Sequence, residues 1–211
     1  MTKEPQDATW LFQGAHKSEQ WWTSLASMLL IDLGRHQPHV TIPLWRYETD
    51  HANWRFHQSG TSLAVAAATF SNVMVETNLA TELFPGIPWD ERFLCTPDLL
   101  IHQQDSRRIT IIENKTERAS IGRLALYGAV NQHLLTCGWD ARLVVLISCG
   151  HPDESIWREI ERQRLELLLW EDVLRLIDQS QYLRWIFDEP LSSYYACPRL
   201  EGLKRQAQPR R

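Results

Sequence analysis

Apolar and polar positions along this chain follow two periods, and the switches between them mark its elements. Trp22, Leu25, Ala26, Leu29 and Leu33 recur at helical spacing, which predicts an amphipathic helix over residues 16–33, capped by Ser18 and ended by Gly34. The period then fades. Prolines, tryptophans and histidines break residues 35–60, where only 40–45 reads as a short strand before a loop. The alanine-rich stretch 61–70 predicts a helix and 72–79 a strand, followed by the turn-rich Phe84-Pro85-Gly86-Ile87-Pro88.

A period of two takes over in residues 92–102 and 108–116, which predict a hairpin. Ser120 is placed to cap a helix over 121–136, closed by Gly138. Residues 142–147 form a continuous apolar run, the pattern of a strand covered on both faces. A helix at 154–163, a strand at 165–169 and a helix at 171–178 complete the series. This order (helix, three strands, helix, strand, helix, strand, helix) predicts an α/β fold with a mixed central sheet flanked by helices. We expect one domain over 1–189, with an insertion at about 35–70, and a mobile tail over 190–211, where Pro, Ser, Gln and Arg accumulate.

Composition narrows the function classes. The 211 residues are 44% hydrophobic and 23% charged, ordinary values for a domain with a substantial core. No apolar run reaches the roughly 18 residues of a membrane span, and Met1-Thr2-Lys3-Glu4-Pro5-Gln6-Asp7 lacks the signal-peptide pattern, so a cytoplasmic protein is expected. Cys95, Cys137, Cys149 and Cys197 are widely spaced without a CxxC pair, which predicts reduced thiols rather than structural zinc. His51 and His57 lack partners at metal-ligand spacing. The net charge of −4 argues against coating nucleic acid by charge alone. Arg107-Arg108, Arg118, Arg123 and the Lys204-Arg205 and Arg210-Arg211 pairs read as solvated surface, and most of the ten tryptophans as packing.

The chemistry concentrates at the hairpin. In Ile109-Thr110-Ile111-Ile112-Glu113-Asn114-Lys115 the period of two puts Glu113 and Lys115 on one face, and pairing with Thr96-Pro97-Asp98-Leu99-Leu100-Ile101 brings Asp98 beside them. Two carboxylates and an ammonium at the ends of core strands are costly unless they pair or hold a metal. A structural alternative is an ion pair between Glu113 and Lys115, with Asp98 opening a turn after Pro97.

At Pro97-Asp98 and Glu113-Asn114-Lys115, set in a strand, turn, strand, helix and strand, the chain resembles the PD-(D/E)xK nuclease superfamily. The resemblance covers residues 95–150 and extends to the first helix. It implies a restriction-endonuclease-like αβββαβ core and magnesium-dependent hydrolysis of phosphodiester bonds, with manganese as a substitute. It implies that Asp98, Glu113 and the backbone carbonyl of Asn114 ligate the metal, and that Lys115 positions water and stabilises developing charge. A first-helix acid also belongs to such sites. Glu19 lies on or beside the apolar stripe, one turn before Trp22, and leads over its rival Glu76, with Glu82 third. Gln132, on the helix after the motif, is a secondary candidate for substrate contact, while Tyr127 reads equally as packing. The implied partner is DNA, with RNA not excluded and with a homodimer or a partner protein allowed. Three functions compete: a DNA endonuclease of a defence, restriction or mobile-element system, a structure-selective resolvase or transposition-associated nuclease subunit, and a nuclease-like module that binds without cutting.

Overall fold

The computed structural model describes residues 19–50, 53–90, 95–115, 122–151, 153–180 and 183. The elements are α1 (Glu19–His36), β1 (Thr41–Asp50), β2 (Asn53–Ala64), β3 (Val73–Val75), β4 (Leu99–Gln103), β5 (Arg108–Lys115), α2 (Gly122–Thr136), β6 (Asp140–Ile147), α3 (Glu154–Gln163), β7 (Glu166–Leu169) and α4 (Trp170–Gln179). They form one mixed sheet of seven strands in the order β2-β1-β7-β6-β5-β4-β3. β5, β6 and β7 run parallel, and every other pairing is antiparallel.

Two hydrophobic cores sandwich the sheet. Leu124, Tyr127, Val130 and Leu134 of α2 and Ile156, Trp157 and Ile160 of α3 pack on one face, against Leu100, Ile111 and Val145. The crossovers β5-α2-β6 and β6-α3-β7 step in one direction, so parallel-strand chirality puts both helices on the same side. Trp22, Leu25 and Leu29 of α1 and Trp170, Val173 and Ile177 of α4 cover the other face, over Ile112 and Val144. Burial on both sides explains why the β5 and β6 patterns are nearly continuous.

The α/β class, the mixed sheet, the β4–β5 hairpin and the two C-terminal helices agree with the sequence expectation. Several details differ. Residues 35–70 are no appendage: β1 and β2 form a long hairpin that extends the sheet through Trp45 opposite Leu167. The register shifts between Pro43 and Trp45, because proline cannot donate to the ladder; the strand expected over 40–45 runs on to Asp50, and the expected loop is largely β2. Segment 61–70 is not a helix beyond one 3₁₀ turn at Val65–Ala67, since residues 61–64 finish β2. The expected 72–79 strand shortens to β3, with a π-helical turn at Leu79–Leu83 whose first N–H groups are held by the Asn78 side chain.

Gly34 does not end the first helix, which continues to His36. A Cβ there would lie 2.6 Å from both Val65 O and Ala68 O, so glycine lets α1 seat directly on the chain after β2. Cys149 is disulfide-bonded, which corrects the expectation of four reduced thiols, while Cys95 and Cys137 are free. Ser18, Ser120 and the tail 190–211 lie outside the described residues. No described helix is long and apolar enough to cross a membrane.

Candidate active site

The β4–β5 ladder ends with Leu99 opposite Ile112, which puts Asp98 level with Glu113. β5 alone continues to Lys115, still paired on its other edge with β6. One strand has therefore been withdrawn where the charged residues begin. Asp98 occupies the vacated edge and accepts a 2.7 Å hydrogen bond from the Asn114 N–H. A strand residue points its N–H and C=O to the same edge, so the Asn114 carbonyl also faces this gap.

Glu113 and Lys115 share the face covered by α2, and the Lys115 Nζ to Glu113 Oε1 distance is 2.6 Å. The two side chains are only 1% and 2% exposed, so the ion pair is interior. It does not complete the electrostatics. Asp98 lies level with Glu113 across the ladder end, and its charge acts on Glu113. Glu113 Oε2 is buried with no hydrogen-bond partner among the described residues.

The titration of neighbouring groups reports the same imbalance. Burial, followed by the Asp98 charge, pushes Glu113 up to about 8 despite Lys115. Burial also raises Asp98, opposed by the Asn114 N–H and by the charges of Lys115 and Arg123. The Cys95 thiol is pushed up to about 12 by burial and by Glu113. The Tyr127 phenol, whose hydroxyl donates to Thr96 O at 3.0 Å, is raised by burial and by Glu113. Four acids that all resist ionisation mark a pocket short of positive charge.

A cleft of about 730 Å³ opens onto this edge and is lined by Asp98, Glu19, Glu76, Arg123 and Tyr127 among others. Both rival acids therefore reach the same opening. Glu19 comes from the first turn of α1, whereas Glu76 follows β3 with a left-handed backbone, φ 49°. The Glu76 N–H donates to Asp98 O at 3.2 Å, so these two residues are joined through their backbones. Glu82 is spent elsewhere, where its Oε1 accepts from Asn78 N. Gln132 is not part of this site and lines a different cleft.

The fit to a divalent cation rests on the donor set. Asp98, the second oxygen of Glu113 and the Asn114 carbonyl are hard oxygen donors of the kind magnesium prefers, and that Glu113 oxygen has no hydrogen-bond partner among the described residues. Among the described residues no group of three His, Cys, Asp or Glu side chains is gathered closely enough to hold a metal, so protein carboxylates would supply only part of the shell. Magnesium ordinarily retains several waters.

Sequence reasoning missed the residues that fix Asn114 from the opposite face. Its Nδ2 donates to Thr23 Oγ1 at 3.2 Å, and its Oδ1 accepts from Trp170 Nε1 at 3.1 Å. Trp22 packs edge-on against Trp170, with ring centroids 5.3 Å apart. Glu171, next in the chain, is fully buried, accepts from Ser148 Oγ at 2.7 Å and is pushed up to about 7 by burial. A Trp-Glu-Asp sequence directly after an apolar strand was the available signal.

No family model, curated protein or solved structure matches the chain.

Proposed function

We propose that the protein is a metal-dependent endonuclease that hydrolyses phosphodiester bonds in DNA, with the PD-(D/E)xK-like residues as its site. One observation carries this reading: Asp98 and Glu113 are juxtaposed at the end of β5 with an unpartnered buried oxygen. In this reading Asp98, Glu113 and the Asn114 carbonyl hold a divalent cation. A cation bound there supplies charge neutralisation at the phosphate and makes a water more acidic. Lys115 orients the attacking water and balances charge that develops on the phosphoryl oxygens. The Asn114 N–H fixes one Asp98 oxygen, which leaves the other for the cation. Arg123, at the mouth of the cleft, is placed to meet a phosphate.

A second reading is favoured by a different observation. Glu113 and Lys115 are covered and already paired, as a nuclease-like module that binds without cutting would keep them. Incubation of supercoiled plasmid with purified protein in magnesium, manganese or EDTA separates the two. The endonuclease reading expects nicking or linearisation that EDTA abolishes and that Asp98→Asn and Glu113→Gln remove. Intact plasmid under both metals, together with metal-independent DNA binding, would establish the binding module instead.

A further inference from the structure

On the flank of α2 away from the acid cleft lies a second cleft, of about 710 Å³. Its walls come from the starts of β6 and β7, the end of α3 and the exposed side of α2, where Gln132 lies. Four arginines line it, Arg46, Arg142, Arg162 and Arg164, against one acid, Glu166. In a chain with a net charge of −4 this is a local reversal of sign.

The arginines divide into two kinds. Arg142 is paired with Glu166, and Arg162 with Glu159. Arg46 and Arg164 are exposed and make no ion pair among the described residues. Arg164 is held in place by its backbone: it caps α3 in the left-handed conformation, φ 52°, with its N–H on Glu161 O and Ile160 O. Arg46 is anchored in β1 opposite His57. The cleft floor is equally defined. A Cβ on Gly128 would fall 2.0 Å from Gln163 Oε1, so glycine in α2 lets the Gln163 amide pack onto the helix backbone.

We propose that this arginine cleft binds the phosphate backbone of nucleic acid, as a docking surface separate from the acid cleft. Guanidinium forks match phosphate oxygens and remain charged at any working pH. An acidic protein that approaches a polyanion needs such a patch to offset repulsion. The spacing suits a shared ligand. Arg142 and Ile147, the β6 residue level with Lys115, are separated by five strand steps, roughly 17 Å at 3.3 Å each. That is the rise of about five base pairs, so one duplex lying across α2 spans both clefts. The choice of nucleic acid as ligand rests on the nuclease reading, whereas the anion-binding chemistry rests on the arginines alone.

The test is fluorescence anisotropy of a labelled duplex of about 20 base pairs (roughly four times the five-pair span), titrated in EDTA at several salt concentrations. An Arg46→Ala/Arg164→Ala double variant is expected to bind about tenfold or more weakly, with the slope of log K against log salt shallower by about two. The Arg46→Lys/Arg164→Lys double variant is expected to recover most of that slope. Arg158→Ala, on an exposed residue paired with Glu154, serves as the control and is expected to bind like the wild type. Unchanged affinity and slope in the alanine double variant overturns the proposal. So does binding of inorganic triphosphate by the wild type with no binding of the duplex. Plasmid cleavage measured in parallel keeps the two claims apart. Cleavage with unchanged affinity in the double variant defeats the cleft and leaves the nuclease, and arginine-dependent binding with no cleavage does the reverse.

Discussion

Asp98 and Asn114 are joined by a 2.7 Å hydrogen bond from the backbone N–H of one to the carboxylate of the other, at the point where β4 stops pairing with β5. The same Asn114 is gripped through its side chain by Thr23 and Trp170 on the opposite face. One residue thus ties the acid edge to both α1 and α4. Replacing Asn114 with Ala leaves the Thr23 hydroxyl and the Trp170 N–H without this partner, at about 1–3 kcal/mol for each group that stays unpaired. We expect a lower midpoint in urea and a loss of cleavage larger than the loss of folded protein. Full activity in the folded fraction would show that the tie is purely structural.

Lys115→Ala is expected to remove cleavage while largely sparing manganese affinity, whereas Asp98→Ala and Glu113→Ala weaken both. On the proposed reading the carboxylates would hold a cation and the ammonium would act on water and phosphate. Calorimetric titration with manganese beside a nicking assay reads both effects. Equal loss of metal affinity in all three variants would reject the division of roles.

Glu19 and Glu76 both line the acid cleft, and substitution decides between them. Glu19→Gln is expected to lower the nicking rate tenfold or more, about 1.4 kcal/mol in barrier, with little change in melting temperature. Glu76→Gln is expected to keep most activity. The opposite pattern would assign the role to the acid after β3.

Two buried carboxyls, Glu113 and Glu171, contribute to the pH dependence of the metal-free protein. Glu113 is raised to about 8 and Glu171 to about 7 from an ordinary 4.5. A carboxyl raised by folding favours the native state when protonated. Its contribution is complete below the unfolded value near 4.5 and is lost as pH rises through 7 to 8. Urea midpoints without metal are therefore expected to fall between pH 5 and pH 8. Glu113→Gln and Glu171→Gln should each flatten part of that slope. A midpoint that rises over this window would contradict the assignment.

Gly34→Ala is expected to destabilise the fold by about 1–3 kcal/mol, because the added methyl meets two backbone oxygens that cannot rotate away. A denaturation midpoint equal to wild type would mean that α1 slides to accommodate it.

Much of this architecture was present in the chain as local pattern. The period of two in residues 109–115 determined that Glu113 and Lys115 share a face, and the unbroken apolar run of β6 determined that helices cover both sides. The helix Glu154–Gln163 has the bounds expected from the sequence, and the structure adds its Asp153 cap. These features depend on neighbours a few residues apart, which is the range over which backbone geometry repeats.

Tertiary structure decided what no local period encodes. The strand expected over 40–45 extends to Asp50 because β2 pairs along its length and β7 meets it at Trp45. Gly34 looked like a helix end until Val65 and Ala68 were seen against it. Gln132 fell on the flank of α2 away from the acids, where the Arg46 and Arg164 cleft lies. Asn114 met Thr23 from 91 residues before it and Trp170 from 56 after it. Such contacts follow from how two helical layers close on one sheet, and that closure depends on all the packed surfaces together.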